Sequence, residues 1–487
     1  MEMYLFLTLI IYFSIILVIS YFTGKKEATD EDFFLANRNS PWYIVAIGML
    51  GDSISGVTFV SVPGMVRSFD MTYMQLVFGF FVGYIIVAYF LLPIYYRLNL
   101  ISVYSYLELR FGLYSYKTGS FFFIISRVVG GAAKMYLISF ILYHIIFEAM
   151  GIPFYVVVAF IIFLIWLYTI RNGMGTIIWT DVLQTVCLLV ALFLILGQVS
   201  SGMNLSLSGI VDVVKSSPHS RIFVFDDWSS RQHFVKQFLS GIFIVIVMTG
   251  LDQNMMQKNL TCRNIKESQK NMLSYGFGFI PLNYLFLVLG ILLLAYSSQF
   301  GIELPDKSDE ILISLATGYL GTSAFICFTV GIIAASFSNA DSTLTSLTTS
   351  FCVDFLRINT TNSLKAKRMR SITHSIMCIV FFITIIFINS FEQSNVLNTI
   401  YVAVSYTYGP LLGLFSFGFF TKRSLRDKLV PIICVAGPIL SYIFEVFLKH
   451  SFNYEVGYEI LLFNGAIVYM GLMFISKRNI PVLNYTK

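Results

Sequence analysis

Charge is the first thing this sequence lacks. Of 487 residues, only 12% are Asp, Glu, Lys or Arg, while 57% are hydrophobic. Soluble domains carry about 25% charged residues, so that class is excluded. Paired cysteines are missing too. Cys187, Cys262, Cys327, Cys352, Cys378 and Cys434 show no CxxC spacing, and most lie in apolar segments. They read as small buried hydrophobes rather than a disulfide framework or a zinc site. The five histidines form no HxxxH pair. HExxH, GxSxG and GxxxxGK[ST] are all absent, which removes the common hydrolase and nucleotide-binding signatures and leaves no case for an enzyme.

What the chain has instead is a series of apolar segments, each long enough to cross about 30 Å of hydrocarbon. The pattern predicts an all-α polytopic membrane protein with about thirteen spans. The first runs from Met3 to Tyr21 and the second from Tyr43 to Val66. A polar stretch over 200–232 reads as an external loop. The 32 Lys and Arg fall mostly on loops of one side if the N-terminus is outside. The other side carries few, chiefly Arg67, Lys215, Arg221, Arg231, Lys236, Lys307 and Lys449. That bias predicts an outside N-terminus and an inside C-terminus, in a bacterial plasma membrane. The net charge of +6 tracks this sidedness, so the bilayer and not nucleic acid is the expected partner. No feature calls for an obligate protein partner.

Two spans are interrupted. GDSISG (Gly51–Gly56) breaks the second span, and TGLDQN breaks another five spans later. Equivalent interruptions in two halves point to inverted repeats around a midplane site. The expected division is 1–22 as a peripheral helix, 42–199 and 233–419 as the repeats, and 420–487 as two peripheral helices with a tail.

A third stretch, AASFSNADSTLTSLTTSFCVD (Ala334–Asp354), is crowded with oxygens inside an apolar run. At helical spacing Ala335, Ser338, Asn339 and Ser342 form one stripe, bordered by Asp341. Hydroxyls at this depth can serve as glue between helices. They can also serve as hard ligands for a small cation.

Taken in order, FFLANR (Phe33–Arg38), SGVTFVSVPG (Ser55–Gly64), LELRFG (Leu107–Gly112), WTDVLQ (Trp179–Gln184), GLDQNMMQKNLTC (Gly250–Cys262) and the serine-rich helix ending in VDF (Val353–Phe355) resemble the sodium:solute symporter family over nearly the whole chain. The resemblance implies a LeuT-type fold of two five-helix inverted repeats, with broken first and sixth core helices. It implies Na+ as coupled ion, held by the carbonyls of Gly51, Ile54 and Ala335 and by Ser338. Asn339 stands where the family usually has Ser or Thr. A second sodium is implied near Asp181, Asp341 and Ser342. The alternative for Asp181 is a pair with a buried base.

The expected function is sodium-coupled symport of a small organic solute by alternating access. A channel or a sensor on the same fold is the other reading; a sensor would be expected to carry a long soluble output domain. Ser53, Ser55, Thr58, Tyr73, Gln75, Arg127, Asp252 and Gln253 are candidates to line the solute site. Each could instead pack or cap the broken helices. Arg127 sits deep in a span, where a guanidinium offers a carboxylate two donors, so an organic acid such as a sialic acid is expected ahead of a neutral sugar. An internal pair with a membrane aspartate is the other possibility for it.

Overall fold

The computed structural model describes residues 11–19, 22, 34–148, 150–170, 174–358, 364–390, 396–452, 454 and 456–477. The first half of the chain contains α1 (Trp42–Ser53), α2 (Gly56–Phe69), α3 (Tyr73–Arg97), α4 (Ser105–Arg110), α5 (Leu113–Leu142), α6 (Phe154–Thr169) and α7 (Met174–Gly202). After the short surface helix α8 (Leu207–Ser216) come α9 (Phe234–Gly250), α10 (Gln253–Asn259), α11 (Ile265–Phe300) and α12 (Ile311–Gly318). The chain continues through α13 (Gly321–Phe355), α14 (Leu364–Ile388), α15 (Val396–Phe420), α16 (Val430–Phe452) and α17 (Ile460–Ile475).

Among the described residues eight helices are long and apolar enough to cross a bilayer. Two bent pairs add to these, α1 with α2 at 59° and α9 with α10 at 69°. Two shorter apolar helices, α6 and α17, follow the same pattern. Of the expected first span, 11–19 is helical and most of the remainder lies outside the described residues.

Both breaks occur where the sequence expects them. At the first, Ile54 (φ −83°, ψ 80°) and Ser55 (φ −75°, ψ 169°) leave the helical region. Serine competes for backbone groups and isoleucine loses rotamer freedom in a helix, so this turn is cheap to unwind. At the second, Asp252 is extended (φ −102°, ψ 125°) and its carboxylate caps α10 by accepting the Met255 amide at 3.1 Å.

The breaks are enclosed. α1 lies against α7 and α11, and α13 packs on α7, α5 and α2. From Ala334 to Ser350 every residue of α13 is buried. Several of its hydroxyls return to the carbonyl one turn back, as Thr348 does to Leu344 at 2.7 Å, which serves helix packing. The polar segment before α9 is strapped to the start of α3. Gln75 donates to the Gln232 carbonyl at 2.8 Å and accepts the Val224 amide at 3.1 Å.

Candidate functional site

The two breaks free backbone carbonyls at depth, and the chain treats them differently. At the second, the Gly250 carbonyl accepts the Tyr95 hydroxyl at 2.8 Å and the Leu251 carbonyl accepts that of Tyr104 at 2.9 Å. At the first, Ile54 donates back to Leu50 at 2.9 Å. Among the described residues, no hydrogen bond ends on the carbonyl of Gly51 or of Ile54. A buried carbonyl without a donor is costly unless something else satisfies it. A desolvated cation is such a partner.

Facing this turn is the stripe on α13. Ser338 donates to Asp181 Oδ1 at 2.6 Å, and Lys258 donates to Asp181 Oδ2 at 2.6 Å. Lys258 also reaches Asp52 Oδ2 at 3.0 Å, where Asn254 donates at 2.8 Å. Asn339 donates its amide nitrogen to the Asp52 carbonyl and to Oδ1, both at 3.0 Å. The nitrogen cannot ligate a cation, so Asn339 holds the broken turn with the end opposite to the oxygen expected of a ligand. Asp341 accepts from Tyr168 at 3.0 Å and from Ser342 at 3.3 Å. Asp52, Asp181 and Asp341 are fully or almost fully buried around one ammonium, that of Lys258. The excess of carboxylate favours a further cation here. No three or more His, Cys, Asp or Glu side chains among the described residues are grouped to hold a metal ion. The donor set is one of free carbonyls and hydroxyls with carboxylates at its edge, which suits sodium.

Asp52 and Lys258 were not legible as site residues in the sequence. Asp52 reads as part of a break, and Lys258 as one more cytoplasmic-side base. The one usable signal was spacing, since Lys258 follows Asn254 by one helical turn and both meet Asp52.

Beside the turn lies a narrow cavity of about 80 Å³. Ser53, Ser55, Thr58 and Arg127 line it, joined by Lys134 and by aromatic rings. Arg127 is not free. Its fork gives two 2.6 Å bonds to Asp252, which also accepts the Tyr408 hydroxyl. The internal pair therefore holds for Arg127, which lines the cavity, while Asp252 stands behind it and off the lining.

Three further expected residues lie off the cavity. Gln75 straps the polar segment before α9. Gln253 donates to the Ile101 carbonyl at 2.8 Å and accepts the Val103 amide at 2.9 Å. Tyr73 bonds Tyr401, itself a lining residue, at 3.1 Å.

The model of the sodium:solute symporter family matches residues 33–427. A sodium/sialic acid symporter of Aliivibrio fischeri is 25% identical over 89% of this chain and 86% of its own length. A sodium-dependent multivitamin transporter of Oryctolagus cuniculus is 26% identical over 88% of this chain and 69% of its own. Among solved structures, a Na+-coupled sialic acid symporter in an outward-open state superposes with a TM-score of 0.81 at 21% identity, covering 98% of this chain and 99% of that one. A nucleobase-cation-symport-1 family transporter superposes with a TM-score of 0.59 at 14% identity, covering 93% and 94%. These likenesses carry the fold, and the family match carries the coupling ion. This chain belongs to the sodium:solute symporter family, as an integral membrane protein of LeuT-type fold that couples movement of a small solute to sodium and is not an enzyme.

Proposed function

We propose that the chain imports a small organic anion together with sodium by alternating access, and that Lys134 is the group that receives the anion. The carrying observation is which cations are already spent. Arg127 is paired with Asp252, and Lys258 with Asp181 and Asp52. Lys134 lines the same cavity with neither a hydrogen bond nor a salt bridge among the described residues, feeling Arg127, Asp52 and Asp252 only at longer range. An unpaired ammonium facing a cavity at this depth is costly unless a ligand neutralises it. Two relatives bear the name sodium/sialic acid symporter, and sialic acid has a carboxylate.

Sodium would sit between α1 and α13, on the carbonyls of Gly51, Ile54 and Ala335 and on the Ser338 hydroxyl. Asp181, Asp341 and Ser342 would serve a second ion. Because the ion joins the broken turn to α13, its binding favours the arrangement that also forms the solute cavity. Regions 42–199 and 233–419, each opening on a broken span, act as the repeats. The bacterial relatives and the sidedness of the basic loops support a bacterial plasma membrane, with the N-terminus outside and the C-terminus inside.

The test is thermal stabilisation of the purified chain by N-acetylneuraminate, pyruvate or galactose, with and without sodium. An acid should stabilise it only with sodium. Lys134→Met should weaken that response about 10- to 100-fold, the worth of a charge-assisted hydrogen bond. Stabilisation by galactose alone among the three, or an unaltered acid response in the variant, would remove the anion reading.

A further inference from the structure

A broken helix ends on carbonyls that lie outside its own hydrogen-bond ladder, so side chains help to hold its last turn in place. In the first broken turn, two residues stand between the Gly51 and Ile54 carbonyls. Asp52 is tied on one side by Asn254, Lys258 and Asn339. Ser53 is tied on the other side by one bond, 2.5 Å from its hydroxyl to that of Tyr275 on α11. Tyr275 continues to the Tyr84 hydroxyl on α3 at 2.8 Å.

This chain of three hydroxyls is built in. Tyr84 and Tyr275 are only 3% and 1% exposed, and their rings meet edge to face at 4.6 Å between centroids. The residue after Tyr275 is Gly276, where an added Cβ would stand 2.6 Å from the Tyr84 ring. Only glycine lets the two tyrosines meet this way. Both rings and Ser53 also line the solute cavity. A solute in the cavity is therefore one hydrogen bond away from the turn that offers the carbonyls.

We propose that Tyr275, oriented by Tyr84, is a positioning residue for the sodium site. It fixes Ser53 and with it the Gly51–Ile54 turn, and this hydroxyl chain passes solute occupancy to the ion. The inference rests on the sodium ligands proposed above.

The experiment measures the melting temperature of the purified full chain against sodium chloride, with choline chloride holding ionic strength constant. Wild type, Ser338→Ala, Tyr275→Phe, Ser53→Ala, the Tyr275→Phe/Ser53→Ala pair and Tyr84→Phe are compared. Loss of one hydrogen bond predicts a sodium half-saturation raised about fivefold in Tyr275→Phe and in Ser53→Ala. The pair should be no worse than either single change, because both remove the same bond. Tyr84→Phe keeps the Ser53 bond and should shift the value by about twofold or less. If Tyr275→Phe fails to fold, Ser53→Ala reads the same bond from its other end. Melting lowered equally with and without sodium, at an unchanged half-saturation, makes Tyr275 merely structural and overturns the proposal. So does an additive pair. If wild type shows no sodium response, or Ser338→Ala leaves it unaltered, it is the underlying sodium reading that fails.

Discussion

Lys258→Met is expected to destabilise the chain by about 3–5 kcal/mol, the usual cost of removing one partner from a buried ionic cluster. The lysine is 1% exposed, and its ammonium is shared by two carboxylates that are themselves sealed from water. Removing it leaves Asp52 and Asp181 facing each other without a counter-charge. Removing the whole cluster should be milder. The triple change Asp52→Asn, Asp181→Asn, Lys258→Met keeps shape and discards the charges of both ion pairs, so it should melt above the single variant. The measurement is thermal unfolding in detergent at fixed pH and sodium. A single variant as stable as wild type would mean that Lys258 is not the counter-ion described here.

Gly51→Ala should have the second largest effect, and for a steric reason. A Cβ at this position would lie 2.0 Å from Thr185 Oγ1 and 3.1 Å from Thr185 Cβ. Helices in a bilayer approach closely through small residues, and α1 uses Gly51 to sit on α7 in this way. The added methyl must push the two apart, at about 1–3 kcal/mol for overpacking. The displaced turn carries the Gly51 and Ile54 carbonyls, so sodium half-saturation should rise about tenfold. Thr185→Ala added to Gly51→Ala removes the nearest atom and should recover part of both losses. It will not recover all, since Thr185 also donates to the Ile47 and Asp181 carbonyls at 3.0 and 2.7 Å. Unchanged sodium dependence in Gly51→Ala would show that the α1–α7 contact does not set the ion site.

The architecture was readable because the bilayer constrains sequence strongly. Apolar length marks a span, and polar residues inside one mark a break. Both breaks and the buried oxygen stripe of α13 therefore stand out before any coordinates. The solute candidates were harder, because they depend on helix rotation. Gln253 lies in the second break and Gln75 at the start of the span that follows the first, yet each spends its amide on a neighbouring backbone segment. A glutamine that lines a cavity and one that staples a loop look the same in a one-dimensional pattern. Arg127 and Lys134 present the same problem in reverse. They lie two turns apart on α5, and only the position of Asp252 on another helix decides which is neutralised. Asn339 was visible as a departure from the resemblance, but its orientation toward Asp52 was not. That orientation depends on an aspartate whose own role the sequence did not reveal.

On the proposed reading, sodium binds between the broken turn of α1 and the stripe on α13. Equilibrium binding of radioactive sodium to purified wild type and to Ser338→Ala tests it most directly. Ser338 lies on that stripe, and its hydroxyl, 2.6 Å from Asp181, is the proposed side-chain ligand. Saturable binding to wild type, displaced by excess sodium but not by potassium, and weakened about tenfold or more in Ser338→Ala, is the predicted result. Binding of equal affinity and capacity in the two proteins would contradict the account.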